Sequence, residues 1–446
     1  MATANLSHPQ RVPLAAEVHS RPFLRLEGAQ SLTHLAVYAR PELQGKNDAP
    51  SFQHTTLVAF CQHFAVTAPA PEAKYFYHDF GRCRLKWECH TEFATFTFAA
   101  RDERKPVDAN LFDRVPLLDL PQDWLRGLEG QIMVAAQVVL QPADSSTDPF
   151  EASMQRVFGG NMLVGSQVLQ GAEICTDFLI HADGFSRFVV RDLALHHQQS
   201  GRLVQRLLEI ETYRMMALLG LPYAQQATPI LNGIEAELAT LTVAMVDQHR
   251  ERADLATHDA DEEQALLRQI TELAARVERL SLDNSYRFAA AQAYFNLVHT
   301  RIEELREVQI GGVPTVGEFM ERRLQPAMNT CTATARRQQA LAARIANTND
   351  LLRTRVGIVQ EQQNRKILQS MNARVAQQLR LQQAVEGLSV VAITYYLAGL
   401  VNYGCKAIKA AGVAMNPELV TGLLVPLIGL GVWMAMQRFH RKMELD

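Results

Sequence analysis

The run Lys86-Trp87-Glu88-Cys89-His90-Thr91-Glu92 places four ionisable residues at alternate positions. Read as a β-strand, a period of two puts Lys86, Glu88, His90 and Glu92 on one face. Glu88, His90 and Glu92 would then form a carboxylate–imidazole–carboxylate row, chemistry that ligates a metal ion or moves protons. His181 and Asp183, on or after another strand candidate, are placed to complete it. The other reading of the same pattern is a solvated strand face or a salt-bridged interface, because the pairing register is not visible in the sequence. A second constellation is Leu207-Leu208-Glu209-Ile210-Glu211-Thr212-Tyr213-Arg214. Its charges sit on a strongly apolar helix, which favours arginine–carboxylate pairing across a helix bundle over catalysis.

A third set lies near the C-terminus. Residues 387–405 and 419–437 are uncharged stretches of nineteen residues each. As helices they are about 28 Å long, matching a bilayer core of about 30 Å. In the first, Ser389, Tyr396 and Tyr403 recur every seven residues on one face, and Thr394 and Asn402 lie on another. Polar groups at membrane depth pair with something or meet water. These stripes therefore either line a pore in an oligomer or bond to backbone carbonyls within packed helices. Ala398, Gly399, Gly422, Gly429 and Gly431 suit close packing in both cases. Neither stretch contains Asp, Glu, Lys, Arg or His, which argues against a proton relay.

Flanking residues orient this pair. Arg374 and Arg380 precede it and Arg438, Arg441 and Lys442 follow it, while the connection carries only Lys406 and Lys409 as basic residues. The excess of basic residues outside the connection puts both termini in the cytosol. Tyr403 and Trp433 lie near the boundaries of the two spans, where amphipathic rings are favoured. The N-terminus has neither a charged n-region nor an apolar h-region.

The elements that must position these residues change along the chain. Residues 1–195 read as an α/β head. Its strand candidates are Ser31–Tyr38, Arg84–Phe98 (a strand pair or one long strand), Gln131–Leu140, Met162–Leu169 and Phe178–Val190, with a helix at Phe52–Phe64. Residues 196–310 read as a helical domain, with an amphipathic helix over Gly201–Leu219, interruptions at Pro222 and Pro229, a helix near 230–254, and another from Asp261 to Glu307. Residues 311–386 read as a long stalk helix after the break Gly311-Gly312-Val313-Pro314. Residues 387–437 are the transmembrane hairpin and residues 438–446 a basic tail. The fold class expected is an α+β cytosolic head, a long α-helical bundle or stalk, and a two-helix C-terminal hairpin. The stripe of Leu341, Ile345, Leu352, Val356 and Val359, continued by Ile367, Met371, Val375 and Leu379, asks for partner helices from this chain or from other copies, as in a coiled coil.

Composition excludes several classes. The chain has 446 residues, 44 Lys+Arg against 47 Asp+Glu, and a net charge of −3, which argues against a nucleic-acid-coating protein. The charge is segregated, however. Residues 233–310 hold eight Arg against fifteen Asp/Glu, whereas 313–386 hold ten Arg and one Lys against five Asp/Glu. The two segments either pair and neutralise each other, or the basic one meets anionic lipid or a partner. Six scattered cysteines without a Cys-x-x-Cys pair read as buried thiols. No P-loop, Gly-x-Ser-x-Gly or His-Glu-x-x-His occurs, so nucleotide and hydrolase readings have no motif behind them, and the sequence leaves any cofactor unknown.

The sequence resembles the bacterial domain of unknown function 3422 family, described as predicted membrane-anchored proteins. The resemblance rests on Glu17-Val18-His19-Ser20-Arg21-Pro22, Leu85–Phe93, His181-Ala182-Asp183-Gly184-Phe185-Ser186-Arg187, Leu207–Arg214 and Glu386-Gly387-Leu388-Ser389-Val390-Val391. It implies attachment to the inner membrane and no activity. The order of elements is also similar to that of CorA-type magnesium channels, but the Gly-Met-Asn signature is absent. The corresponding stretch reads Ala398-Gly399-Leu400-Val401-Asn402-Tyr403-Gly404-Cys405. The expected function is a non-catalytic membrane-tethered scaffold or interaction protein. Its expected partners are the bilayer, other copies of the chain and an unidentified protein. An oligomeric ion channel is the first alternative, and a metal-dependent enzyme at Glu88, His90 and Glu92 the second.

Overall fold

A computed structural model describes residues 8–12, 14–15, 22–38, 52–102, 111–143, 150–196, 198–252, 260–411 and 416–443. Glu17–Arg21 of the first family string lie outside these residues, as do the end of the basic tail (444–446) and the side chains of Arg441 and Lys442. The chain is α+β, with a sheet in its N-terminal part and long helices after it. It forms two compact units, Met1–Asp247 with Ile270–Asn347, and Gln248–Gln269 with Thr348–Asp446.

The first unit is built on a nine-stranded sheet in the order β2-β3-β4-β1-β5-β8-β7-β6-β9. The strands are β1 Gln30–Tyr38, β2 Tyr75–Asp79, β3 Arg84–Cys89, β4 Phe93–Arg101, β5 Ile132–Pro142, β6 Val164–Val168, β7 Ala172–Thr176, β8 Ser186–Asp192 and β9 Val308–Gln309. β5 and β8 pair in parallel and every other neighbour is antiparallel. Both faces of the central strands are covered, so β1 is buried almost end to end.

Period two divides the side chains between the faces. Leu35, Val37, Leu85, Trp87, Phe96 and Phe98 form one core with Phe60 of α1 (Phe52–His63) and Trp124 of α2 (Gln122–Arg126). Leu32, Ala36, Phe93 and Ala99 face the other way, toward Leu203, Leu207, Ile210 and Met216 of α4 (Gln199–Leu218); α3 is Phe150–Val157. This second core also takes in Phe288, Phe295 and Val298 of α6 (Ala260–Leu305), Met320 of α7 (Val316–Arg323), and Met328 and Cys331 of α8 (Gln325–Ala410).

Of the two readings of Arg84–Phe98, the strand pair holds: the segment is a hairpin whose turn is 90–92, so strand alternation stops at Cys89. Other elements differ from the sequence reading. Phe178–Phe185 is not strand. Phe178 takes a left-handed φ of 52°, Gly184 takes φ 83°, and the His181 N–H donates to the Phe185 carbonyl at 3.0 Å to close a turn. Pro222 does not interrupt a helix. It falls in the first turn of α5 (Gly220–Arg252), where a missing N–H costs little, and Pro229 is carried inside the same helix. The stalk begins as α7, with a capping box in which Thr315 Oγ1 accepts from the Glu318 N–H at 3.1 Å, and continues as α8 after Leu324. The acidic and basic helical segments do pair within this unit. Arg337 Nε of α8 donates to Glu235 of α5 at 2.9 Å, while within the acidic segment itself Arg276 of α6 reaches Glu237 at 2.7 Å. All six cysteines are buried thiols.

In the second unit, α8 and α9 (Pro417–Met443) approach closely. A Cβ placed on Gly429 would lie 3.6 Å from Thr394 Cγ2. Leu352 and Val359 of the predicted stripe are buried, while Ile367, Met371, Val375 and Leu379 are exposed. Three helical stretches among the described residues are long and apolar enough to cross a membrane, Gln199–Asp247, Val316–Ala410 and Pro417–Arg438. The first contributes core residues to the sheet, whereas nothing in the apolar windows of the other two is buried.

Candidate functional site

Strand register brings most of the polar row to one pocket. On the α4 side of the sheet, Lys86 is paired with Thr97 and Glu88 with Thr95 across β3 and β4, and His34 of β1 is opposite Thr97. These side chains meet Gln205, Glu209 and Thr212 of α4 and Arg301 of α6 around a cavity of about 230 Å³. Leu24, Leu26, Leu32, Phe93, Leu208 and Tyr213 supply its apolar wall. Helix α4 can sit this close because Gly201 has no side chain; a Cβ there would be 1.9 Å from the Leu24 carbonyl oxygen.

The pocket's charges form one connected chain. Lys86 Nζ is 3.0 Å from Glu88 Oε2, with side-chain exposures of 4% and 12%. Lys86 also donates to Gln205 Oε1 at 3.1 Å, and Gln205 Nε2 donates to Glu209 Oε1 at 2.7 Å. Glu209 accepts in turn from Arg301 Nε, and Arg301 donates further to Glu304 at 3.0 Å. Burial works against the Arg301 charge, but the charge and hydrogen bond of Glu209 outweigh it and raise its pKa. Burial, helped by Glu88, pushes Tyr75 of the neighbouring strand up to about 12. His34 is held between two threonine hydroxyls, Thr97 Oγ1 at 2.8 Å and Thr212 Oγ1 at 3.1 Å. Burial, then Lys86 and His90, push its pKa down to about 3, so it is neutral at ordinary pH.

The predicted row is thus divided. Glu88 and His90 line the pocket, with the His90 ring stacked on Phe93 at 4.4 Å. Glu92, in the hairpin turn, is buried against α6, where Arg287 holds it through bonds of 2.7 and 3.1 Å. His181 and Asp183 belong to the β7–β8 connection. His181 Nε2 is 3.2 Å from buried Asp177, and Asp183 accepts from Arg187 at 3.0 Å and from the Phe185 N–H at 3.1 Å. Among the described residues no group of three His, Cys, Asp or Glu is placed to hold a metal ion.

Glu211, buried on α4, accepts two bonds from Arg214 at 2.7 and 3.0 Å and one from Ser186 Oγ at 3.1 Å. Glu209, by contrast, pairs with a different helix. Sequence reasoning missed His34, Thr95, Arg287 and Arg301. The available signal was a histidine inside the apolar strand Leu32-Thr33-His34-Leu35-Ala36 and two arginines bracketing the uncharged run 288–300 of α6.

At the C-terminal end the hydroxyls of Ser389 and Thr394 donate to the carbonyls of Val385 and Val390, one turn back, at 2.9 and 2.7 Å. Tyr396 and Tyr403 are exposed. Asn402 Oδ1 is buried and has no hydrogen-bond partner.

A mixed sheet under a long-helix bundle, with an apolar helical C-terminus, defines an α+β protein compatible with membrane association. The chain belongs to the family described as "Protein of unknown function (DUF3422)", whose model matches residues 6–443. No curated protein matches it. A solved structure of the full-length CmaX protein is similar at 12% identity over 69% of this chain and 89% of its own, with a TM-score of 0.13, too low to carry an argument.

Proposed function

We propose that this chain is a non-catalytic, membrane-tethered scaffold, anchored in the inner membrane by 387–437 with both termini in the cytosol. The observation that carries the reading is the pair of uncharged helical stretches, closely packed at Gly429 and Thr394, with nothing buried in their apolar windows. Apolar helices of this length in water would leave a large exposed hydrophobic surface, which a bilayer removes. In lipid, the Ser389 and Thr394 hydroxyls are already satisfied by their own helix. The test is membrane extraction with alkaline carbonate, joined to cysteine labelling of intact cells. The protein stays in the pellet; Ala411→Cys reacts with an impermeant maleimide from outside, and Gln437→Cys only after lysis. Release by carbonate, or the reverse labelling pattern, refutes the anchor. Replacing 387–437 by an unrelated hairpin preserves the cellular phenotype of a scaffold, and loss of that phenotype refutes the scaffold.

The unpartnered Asn402 Oδ1 favours a second reading, an oligomeric channel in which that amide meets ions or water. Light scattering of the detergent-solubilised protein separates the two. A closed ring whose ion flux in liposomes is lost in Asn402→Ala supports the channel, and a monomer or dimer ends it.

A further inference from the structure

We propose that the pocket between the sheet and α4 is a binding site for a small uncharged polyol, of monosaccharide or cyclitol size. The site lies wholly within the first unit, so the inference stands apart from the anchor.

The first argument is charge balance. Each formal charge on the wall has an opposite partner on the wall, Lys86 with Glu88 and Arg301 with Glu209, and Gln205 bridges the two pairs. An ionic ligand would have to break a buried pair to enter, leaving its partner uncompensated. A hydroxylated neutral molecule need break none. Its O–H groups donate to carboxylate oxygens that still have lone-pair capacity and accept from ammonium or guanidinium protons.

The second argument is independent. Thr95 is only 4% exposed, lines the cavity, and its hydroxyl has no hydrogen-bond partner. Its cross-strand neighbours on that face are Ala36 and Glu88. A buried hydroxyl is ordinarily bonded, and this one stands without a bond on a residue that lines the cavity. Valine would fill the same volume with the same strand preference, so packing alone does not call for threonine.

Size and shape agree. At about 230 Å³ the cavity is below the roughly 300–1,000 Å³ of drug-sized pockets. Polar groups reach the cavity from both the sheet and the helices, and Phe93, Tyr213 and leucines complete its lining. A polyol ring, with hydroxyls at its rim and C–H faces, suits such a mixed lining.

Full-length protein in an amine-oxide detergent, whose headgroup carries no sugar, is titrated calorimetrically at millimolar concentration with myo-inositol, glucose and mannitol. Sodium glutamate and inorganic phosphate serve as charged probes. Wild type binds at least one of the three polyols and neither charged probe. Thr95→Val weakens that binding about tenfold, the worth of one good hydrogen bond, and Thr95→Ser, which keeps the hydroxyl, restores it. If Thr95→Val fails to fold, loss of polyol binding in Gln205→Leu with retention in Thr95→Ser carries the same test. Failure of all three polyols to bind, binding undiminished in Thr95→Val, or uptake of glutamate or phosphate in their place overturns the assignment.

Discussion

Replacing Gly201 by alanine tests whether α4 is as close to the sheet entrance as the fold requires. An added Cβ would sit 1.9 Å from the Leu24 carbonyl oxygen and 3.2 Å from Phe23 Cδ2. The ordinary C···O approach is about 3.3 Å, so the helix and the segment carrying Leu24 must separate by roughly 1.4 Å. Strain of this kind costs about 1–3 kcal/mol. A glycine-to-alanine change inside a helix otherwise gains about 0.5–1 kcal/mol. The first turn of α4 realises only part of that gain, so the net expectation is a loss of about 1–2 kcal/mol. Gly233, inside α5, is the control, because nothing lies within 4 Å of its Cβ position. Gly233→Ala should therefore stabilise by about 0.5–1 kcal/mol. The assay is thermal unfolding followed by the emission of Trp87 and Trp124, both buried in the head. Opposite shifts in Tm are the expected result. If Gly201→Ala raises Tm as Gly233→Ala does, the close approach of α4 to Leu24, and with it the wall of the pocket, is wrong.

Two further outcomes follow from buried charge. Arg287→Met leaves Glu92 buried without its partner and should cost about 3–5 kcal/mol in denaturant unfolding, most of it recovered in the Glu92→Leu, Arg287→Met double variant; additive losses would show that the pair is not coupled. His34 gives a pH effect. Its folded pKa is pushed down to about 3, whereas the unfolded chain takes up the proton near 6.5, so its contribution is intact above pH 6.5 and is lost as pH falls toward 3, at roughly 1.4 kcal/mol per unit. His34→Gln should flatten that part of the urea-midpoint profile, and an unchanged slope would mean that His34 is not held neutral.

The strands that were legible are those whose two faces meet different surroundings. In β1, β3 and β4 alternate residues go to α1 or to α4, and the apolar period of two survives at the core positions. β2 and β7 were not legible. Tyr75–Asp79 is half-exposed and follows the Pro69–Pro71 stretch, and Ala172–Thr176 is five residues of mixed type. Their pairing comes from neighbours in space, Glu88 beside Tyr75 and Val190 beside Ile174. Helix breaks were over-read at Pro222 and Pro229 because proline is tolerated in a first turn and can be carried where packing holds the helix on both sides.

For the site, spacing located the right strand and the wrong partners. Period two holds only while the strand lasts, and β3 ends at Cys89. Beyond it the hairpin turn releases Glu92 from the face of Lys86 and Glu88 and lets α6 claim it through Arg287. No local pattern announces this, since the two residues are 195 positions apart in sequence. Likewise Lys86 was visible as a member of the row, but its effect was not. By pairing with Glu88 it converts a metal-like carboxylate into half of a neutral ion pair. Gln205, which carried no signal of its own, then joins that pair to Glu209 and Arg301. The chemistry of the pocket is thus set by which helix residues fall across from the strand, and a sequence of this length fixes that only through the register of the whole sheet.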